Sequence, residues 1–129
     1  MSEHCFKSTL FKVEPGEDEE TNPNRCGKQL ALWLKEQFIA RGYEKTEVIP
    51  EDWGWCVIFS RNPYNSWVGC GNVDDDGAPV VWMCFAEVEV PLLKRTFNRG
   101  SPEETKASLD AELHEILSKN KDIELIECP

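Results

Sequence analysis

Two carboxylate pairs, two histidines and six cysteines are the residues whose types could do chemistry. Glu51 and Asp52 run directly into Trp53-Gly54-Trp55, and Glu87 and Glu89 alternate along a later apolar segment. General acid–base work needs one carboxyl raised in pKa by burial while its partner stays ionised. Both pairs read instead as solvated charges, one at a turn and one on a strand face, where charge also discourages sheet stacking. A cysteine–histidine nucleophile would need His4 or His114 beside a thiol of lowered pKa; His114 reads as a rim residue beside an apolar helical stripe. No GxSxG, no HExxH and no phosphate-cradling glycine loop occurs. Gly69-Cys70-Gly71 is too short for a phosphate loop and marks a bulge or a close backbone approach. The expectation is a chain without catalytic residues, cofactor or metal.

Asn72-Val73-Asp74-Asp75-Asp76-Gly77 resembles the start of a calcium loop, which needs a bidentate glutamate at its twelfth position. Met83 stands there, so the segment reads as a hairpin turn. The cysteines are Cys5, Cys26, Cys56, Cys70, Cys84 and Cys128. An even count in a short exported chain suggests disulfides. Here Met1 to Lys12 lacks the apolar block of a signal peptide, and Cys56 and Cys84 lie inside apolar runs. Six reduced, structural thiols in a cytoplasmic protein are therefore expected.

The elements that must carry these residues follow from length and periodicity. A chain of 129 residues makes one domain, 1–129. Its net charge of −10 argues against nucleic acid or anionic membrane as a direct partner. No apolar run approaches the roughly 20 residues of a membrane span. His4 to Val13 reads as a strand and Glu14 to Glu20, with five acids and no base, as a solvated loop. Asn22-Pro23 starts a helix whose apolar stripe is Leu30, Trp33, Leu34 and Phe38, and Gly42 closes it.

From Lys45 the period changes to two. Thr46 to Ile49 is a strand ended by Pro50. Trp53, Trp55, Val57 and Phe59 share one face of the next strand, with Cys56 and Ile58 on the other. Asn62-Pro63-Tyr64-Asn65 is a turn, Trp67 to Val73 a strand, and Val80 to Val90 the longest strand, central and covered on both faces over its first half. Ser101-Pro102-Glu103-Glu104 is a capped helix start, followed by the stripe Leu109, Leu113, Ile116 and Leu117. Ile123 to Glu127 closes the fold. The expected class is α+β: a two-layer sandwich, mainly antiparallel, of four to six strands with two helices on one face.

Pro50-Glu51-Asp52-Trp53-Gly54-Trp55 followed by Gly69-Cys70-Gly71-Asn72 resembles a pattern in small bacterial cytosolic proteins. That resemblance spans about residues 42–72 and implies a bacterial α+β domain; no functional residue comes with it.

Of the five tryptophans, Trp33, Trp55 and Trp82 are expected in the core, and Trp53 and Trp67 near the surface. Acidic surface steers a basic partner, and exposed aromatics supply tight contacts. The leading expectation is thus an immunity- or antagonist-type binding protein that occludes a basic protein through Glu51, Asp52, Trp53, Trp67, Asp74, Asp75 and Asp76, with Glu17 to Glu20 as further contacts. Lys94, Arg95 and Arg99 form a basic spot that reads as a solubility feature, or as a receiver of acidic groups from a partner or from a second copy in a homodimer. The alternatives are a small-ligand-binding domain or hydrolase with an aromatic-lined pocket near Trp53, Trp67, Glu51 and Asp52, and a nucleic-acid-mimicking decoy.

Overall fold

The alternation of apolar residues resolves into a six-stranded antiparallel sheet of order β2-β3-β4-β5-β1-β6. A computed structural model describes residues 3–59, 65–73, 81–89 and 102–129. The strands are β1 (Glu3–Ser8), β2 (Glu47–Glu51), β3 (Gly54–Phe59), β4 (Asn65–Asn72), β5 (Val81–Glu89) and β6 (Ile123–Ile126), with helices α1 (Lys28–Ala40) and α2 (Pro102–Ser118). The first strand, β1, lies between β5 and β6, so the chain's two ends meet in the sheet. Of the turn expected at 62–65, residue Asn65 instead opens β4 and the rest lies outside the described residues, as do the turn at 74–77, the basic spot at Lys94, Arg95 and Arg99, and the cap at Ser101.

Both helices cover the same sheet face, in an α+β arrangement. From the strands Phe6, Trp55, Val57, Phe59, Val68 and Trp82 enter the core; Leu30, Leu34 and Phe38 come from α1, and Leu109, Leu113 and Leu117 from α2. Each such buried side chain contributes roughly 1.5–3 kcal/mol. The helical stripes read from sequence are the buried stripes, except that Trp33 is half-buried against Phe11, 5.4 Å between ring centroids.

Several local expectations are corrected. The first strand stops at Ser8, and Phe11 reaches the core from the loop beyond it. The helix begins at Lys28 and not at Asn22-Pro23; the Asn22 amide donates to the Asp52 carbonyl, which ties this loop to the turn between β2 and β3. Nor is the acidic segment wholly solvated. Glu17 is 2% exposed, and its carboxylate accepts the N–H groups of Gly27 (2.9 Å), Lys28 (3.1 Å) and Glu14 (2.6 Å). A helix start needs acceptors for its free amides, and here a side chain ten residues upstream supplies them.

Pro50 lies within β2 and does not end it. It is tolerated because β2 is an edge strand, where a missing N–H breaks no second ladder.

The six cysteines are not all reduced. Cys5 and Cys128 form a disulfide with Cα atoms 5.1 Å apart, across 123 residues of chain. Spacing along the chain cannot show this pairing, because β1 brings Cys5 beside β6 only in the folded sheet. Cys26, Cys56, Cys70 and Cys84 are free and buried, behaving as small apolar side chains.

Candidate functional site

The sheet face away from the helices carries no second layer among the described residues. Strand register sets its rows. Glu47, Ile58, Trp67 and Glu87 stand side by side across β2, β3, β4 and β5, and the next row is Ile49, Cys56, Gly69 and Phe85. This corrects the expectation that β5 is covered on both faces: Val81, Met83 and Phe85 are only half-buried.

Trp53 also departs from expectation. It does not share the face of Trp55, Val57 and Phe59, because it precedes β3 in the turn and escapes strand alternation. Its indole folds onto the open face, 5.4 Å from the Phe85 ring and 6.1 Å from Trp67; Trp67 and Phe85 are 5.6 Å apart. Gly69 makes this cluster possible by presenting bare backbone beneath the rings. Gly54 plays a similar part, since a Cβ there would come within 2.4 Å of the Cys70 carbonyl oxygen. The two segments of the motif, Trp53-Gly54 and Gly69-Cys70, therefore meet in space. Close approach, rather than a bulge, explains these glycines, as β4 pairs with β5 without interruption.

Beside the cluster is a cavity of about 550 Å³, lined by Ile49, Cys56, Ile58, Trp53 and Trp67, with Glu47, Glu51, Glu89 and Lys45 among its polar groups. Burial pushes the Cys56 thiol up to about 12, with Glu51 and then Glu89 adding to the shift. Negative potential from two separate strands thus converges on the cavity floor.

Of the expected partner-binding residues, Glu51, Trp53 and Trp67 come together here. Asp52 is exposed on the turn and absent from the lining, and Asp74, Asp75 and Asp76 lie outside the described residues. Sequence reading placed Glu47 and Ile49 on a strand but missed them as site residues, because only strand register sets them beside Ile58, Trp67 and Cys56. Continued period two through Glu47, Ile49 and Glu51 was the available signal. It missed Lys45 and the joining of Glu89 to this cavity for want of a local pattern. The Glu87 carboxylate is held by Lys106 of α2 at 2.6 Å.

A cysteine, a histidine and an aspartate do come near one another on the helix-covered face. His4 pairs across the sheet with Cys84, and its Nε2 lies 2.8 Å from Asp110 Oδ1. Yet Cys84 is fully buried, and burial together with Asp110 pushes its thiol up, the opposite of an activated nucleophile. Asn72, the first residue of the calcium-like stretch, is committed to the fold: its Oδ1 accepts from the Cys26 amide at 3.1 Å and its Nδ2 donates to the Asn24 carbonyl at 2.9 Å. Among the described residues no three His, Cys, Asp or Glu side chains gather as a metal site. A second cavity, about 470 Å³, lies beside β1 and β6 with Lys7, Lys12 and Lys121 in its lining.

No family model, curated protein or solved structure matches this chain. No helix among the described residues is long and apolar enough to cross a membrane.

Proposed function

We propose that this protein is an acidic binding module of immunity or antagonist type, which uses its open sheet face to occlude a basic protein. The observation that carries this reading is the Trp53–Trp67–Phe85 cluster on a sheet face with no second layer among the described residues, bordered by Glu47, Glu51 and Glu89. Large aromatics without a covering layer are the residues that anchor protein interfaces. The net charge of −10 raises the rate of encounter with a basic surface. Glu51, Asp52, Trp53 and Trp67 are the contact residues within the described chain. Cytoplasmic residence goes with a reduced Cys5–Cys128 pair, and trapping the thiols with maleimide at lysis reads that state directly.

Binding of a small molecule is the second reading, supported by the 550 Å³ cavity, a volume in the range of ligand pockets. The decoy reading has less support: Glu47 and Glu51 lie along the edge strand β2, but Glu89 stands on β5 and the face between them is aromatic and apolar, unlike a row of phosphates.

The test is capture of a stoichiometric partner at low salt, followed by association kinetics at rising ionic strength. Slower association with salt, and loss of the complex in Trp53→Ala and Trp67→Ala, are expected. A rate indifferent to salt would overturn the electrostatic part. Retention of full affinity in both variants would overturn the surface assignment.

A further inference from the structure

We propose that the cavity over β2, β3 and β4 receives an arginine side chain of the basic partner; this rests on the reading of the open face as a partner surface and names what enters it. The floor is the apolar set Ile49, Cys56 and Ile58, and the indoles of Trp53 and Trp67 stand beside it. Three carboxylates, from Glu47, Glu51 and Glu89, face a single ammonium, Lys45, so the lining is anionic. These three make no ion pair with a described residue, whereas Glu87 is taken by Lys106. Glu51 on β2 and Glu89 at the end of β5 both act on the Cys56 thiol, which places their fields at one point of the floor.

An apolar floor, indole faces and converging carboxylates match one side chain better than others. The three methylenes of arginine cover Ile49 and Ile58, as long charged side chains do on apolar surface. Its planar guanidinium stacks on an indole while its N–H fork stays free for carboxylates, and it is less strongly hydrated than an ammonium. The positive charge meets a lining that carries three carboxylates against one ammonium.

The probe is N-acetyl-arginine methylamide, with the neutral citrulline derivative as isostere, added at low salt to the intact protein. The readout is the indole N–H signals of Trp53 and Trp67 in nitrogen–proton correlation spectra. The arginine probe is expected to shift both signals saturably, with the citrulline probe at least roughly tenfold weaker. Glu51→Gln and Glu89→Gln are each expected to weaken the arginine response about fivefold, and Lys45→Gln to strengthen it. Equal response to both probes, no response, or shifts confined to other residues would each overturn the proposal. If the partner still associates in a salt-dependent way, only the arginine pocket falls. If Trp53→Ala and Trp67→Ala keep full affinity for the partner, the surface reading falls first.

Discussion

The indole of Trp53 lies against the backbone of Gly69. A Cβ at Gly69 would stand 2.8 Å from Trp53 Cη2 and 2.5 Å from Phe85 Cζ, both inside van der Waals contact. The aromatic cluster of the open face therefore exists because residue 69 has no side chain, and Trp53 is held over the sheet by contact rather than by a hydrogen bond.

Gly69→Ala is expected to lift both rings. Overpacking of this kind costs about 1–3 kcal/mol, read as a lower urea midpoint. Tryptophan emission should move to longer wavelength as Trp53 leaves the cluster, while far-ultraviolet dichroism stays unchanged. An unaltered midpoint and emission would mean that the rings do not rest on Gly69.

Glu17 provides a second test. Its buried carboxylate serves three amide donors, so Glu17→Ala leaves those of Gly27, Lys28 and Glu14 without their acceptor. The expected cost is about 2–3 kcal/mol, with hydrogen exchange accelerating first at Gly27 and Lys28. Unchanged exchange at those two amides would remove Glu17 from the start of α1.

Thiol counting checks the Cys5–Cys128 bond. Unfolded but unreduced protein is expected to titrate four thiols, from Cys26, Cys56, Cys70 and Cys84, and reduced protein six. Because the bond closes nearly the whole chain, reduction should lower stability by about 2–4 kcal/mol. Six thiols before reduction would refute the bond in the material measured.

Alkaline pH tests the buried thiols. Burial holds Cys56 up at about 12 and pushes Cys70 and Cys84 up from their ordinary value of 9.0. Below pH 9.0 both folded and unfolded chains keep these protons, and the contribution is complete. Above it the unfolded chain ionises first, so stability should fall by about 1.4 kcal/mol per pH unit for each thiol, until the folded thiol also ionises. Urea midpoints between pH 8 and 10.5 measure the slope, and a flat profile would contradict the burial. Slow alkylation of the native protein at pH 8.5 is the companion expectation.

Much of the fold was legible because helices and strands impose their periods on residues close in sequence. Leu30, Leu34 and Phe38, or Leu109, Leu113 and Leu117, mark their helices whatever they face. Trp55, Val57 and Phe59 likewise mark the buried face of β3. Legibility failed where the chain leaves a regular element. Trp53 was carried along with the period of β3 although it belongs to the turn. Glu17 was grouped with its acidic neighbours, and nothing nearby shows that it meets Gly27.

The candidate site was legible in part. Glu51, Trp53 and Trp67 were singled out by residue type, while Glu47, Ile49 and Glu89 join them only through strand register. Alternating hydrophobicity is a property of adjacent residues, so the linear chain was enough to specify six strands' worth of pattern, two amphipathic helices and a strongly acidic balance. Which sheet face the helices cover, which glycine lies under which indole, and which two cysteines meet across 123 residues were settled by packing. Those contacts join segments far apart in sequence, and they come into being only when the sheet closes β1 between β5 and β6.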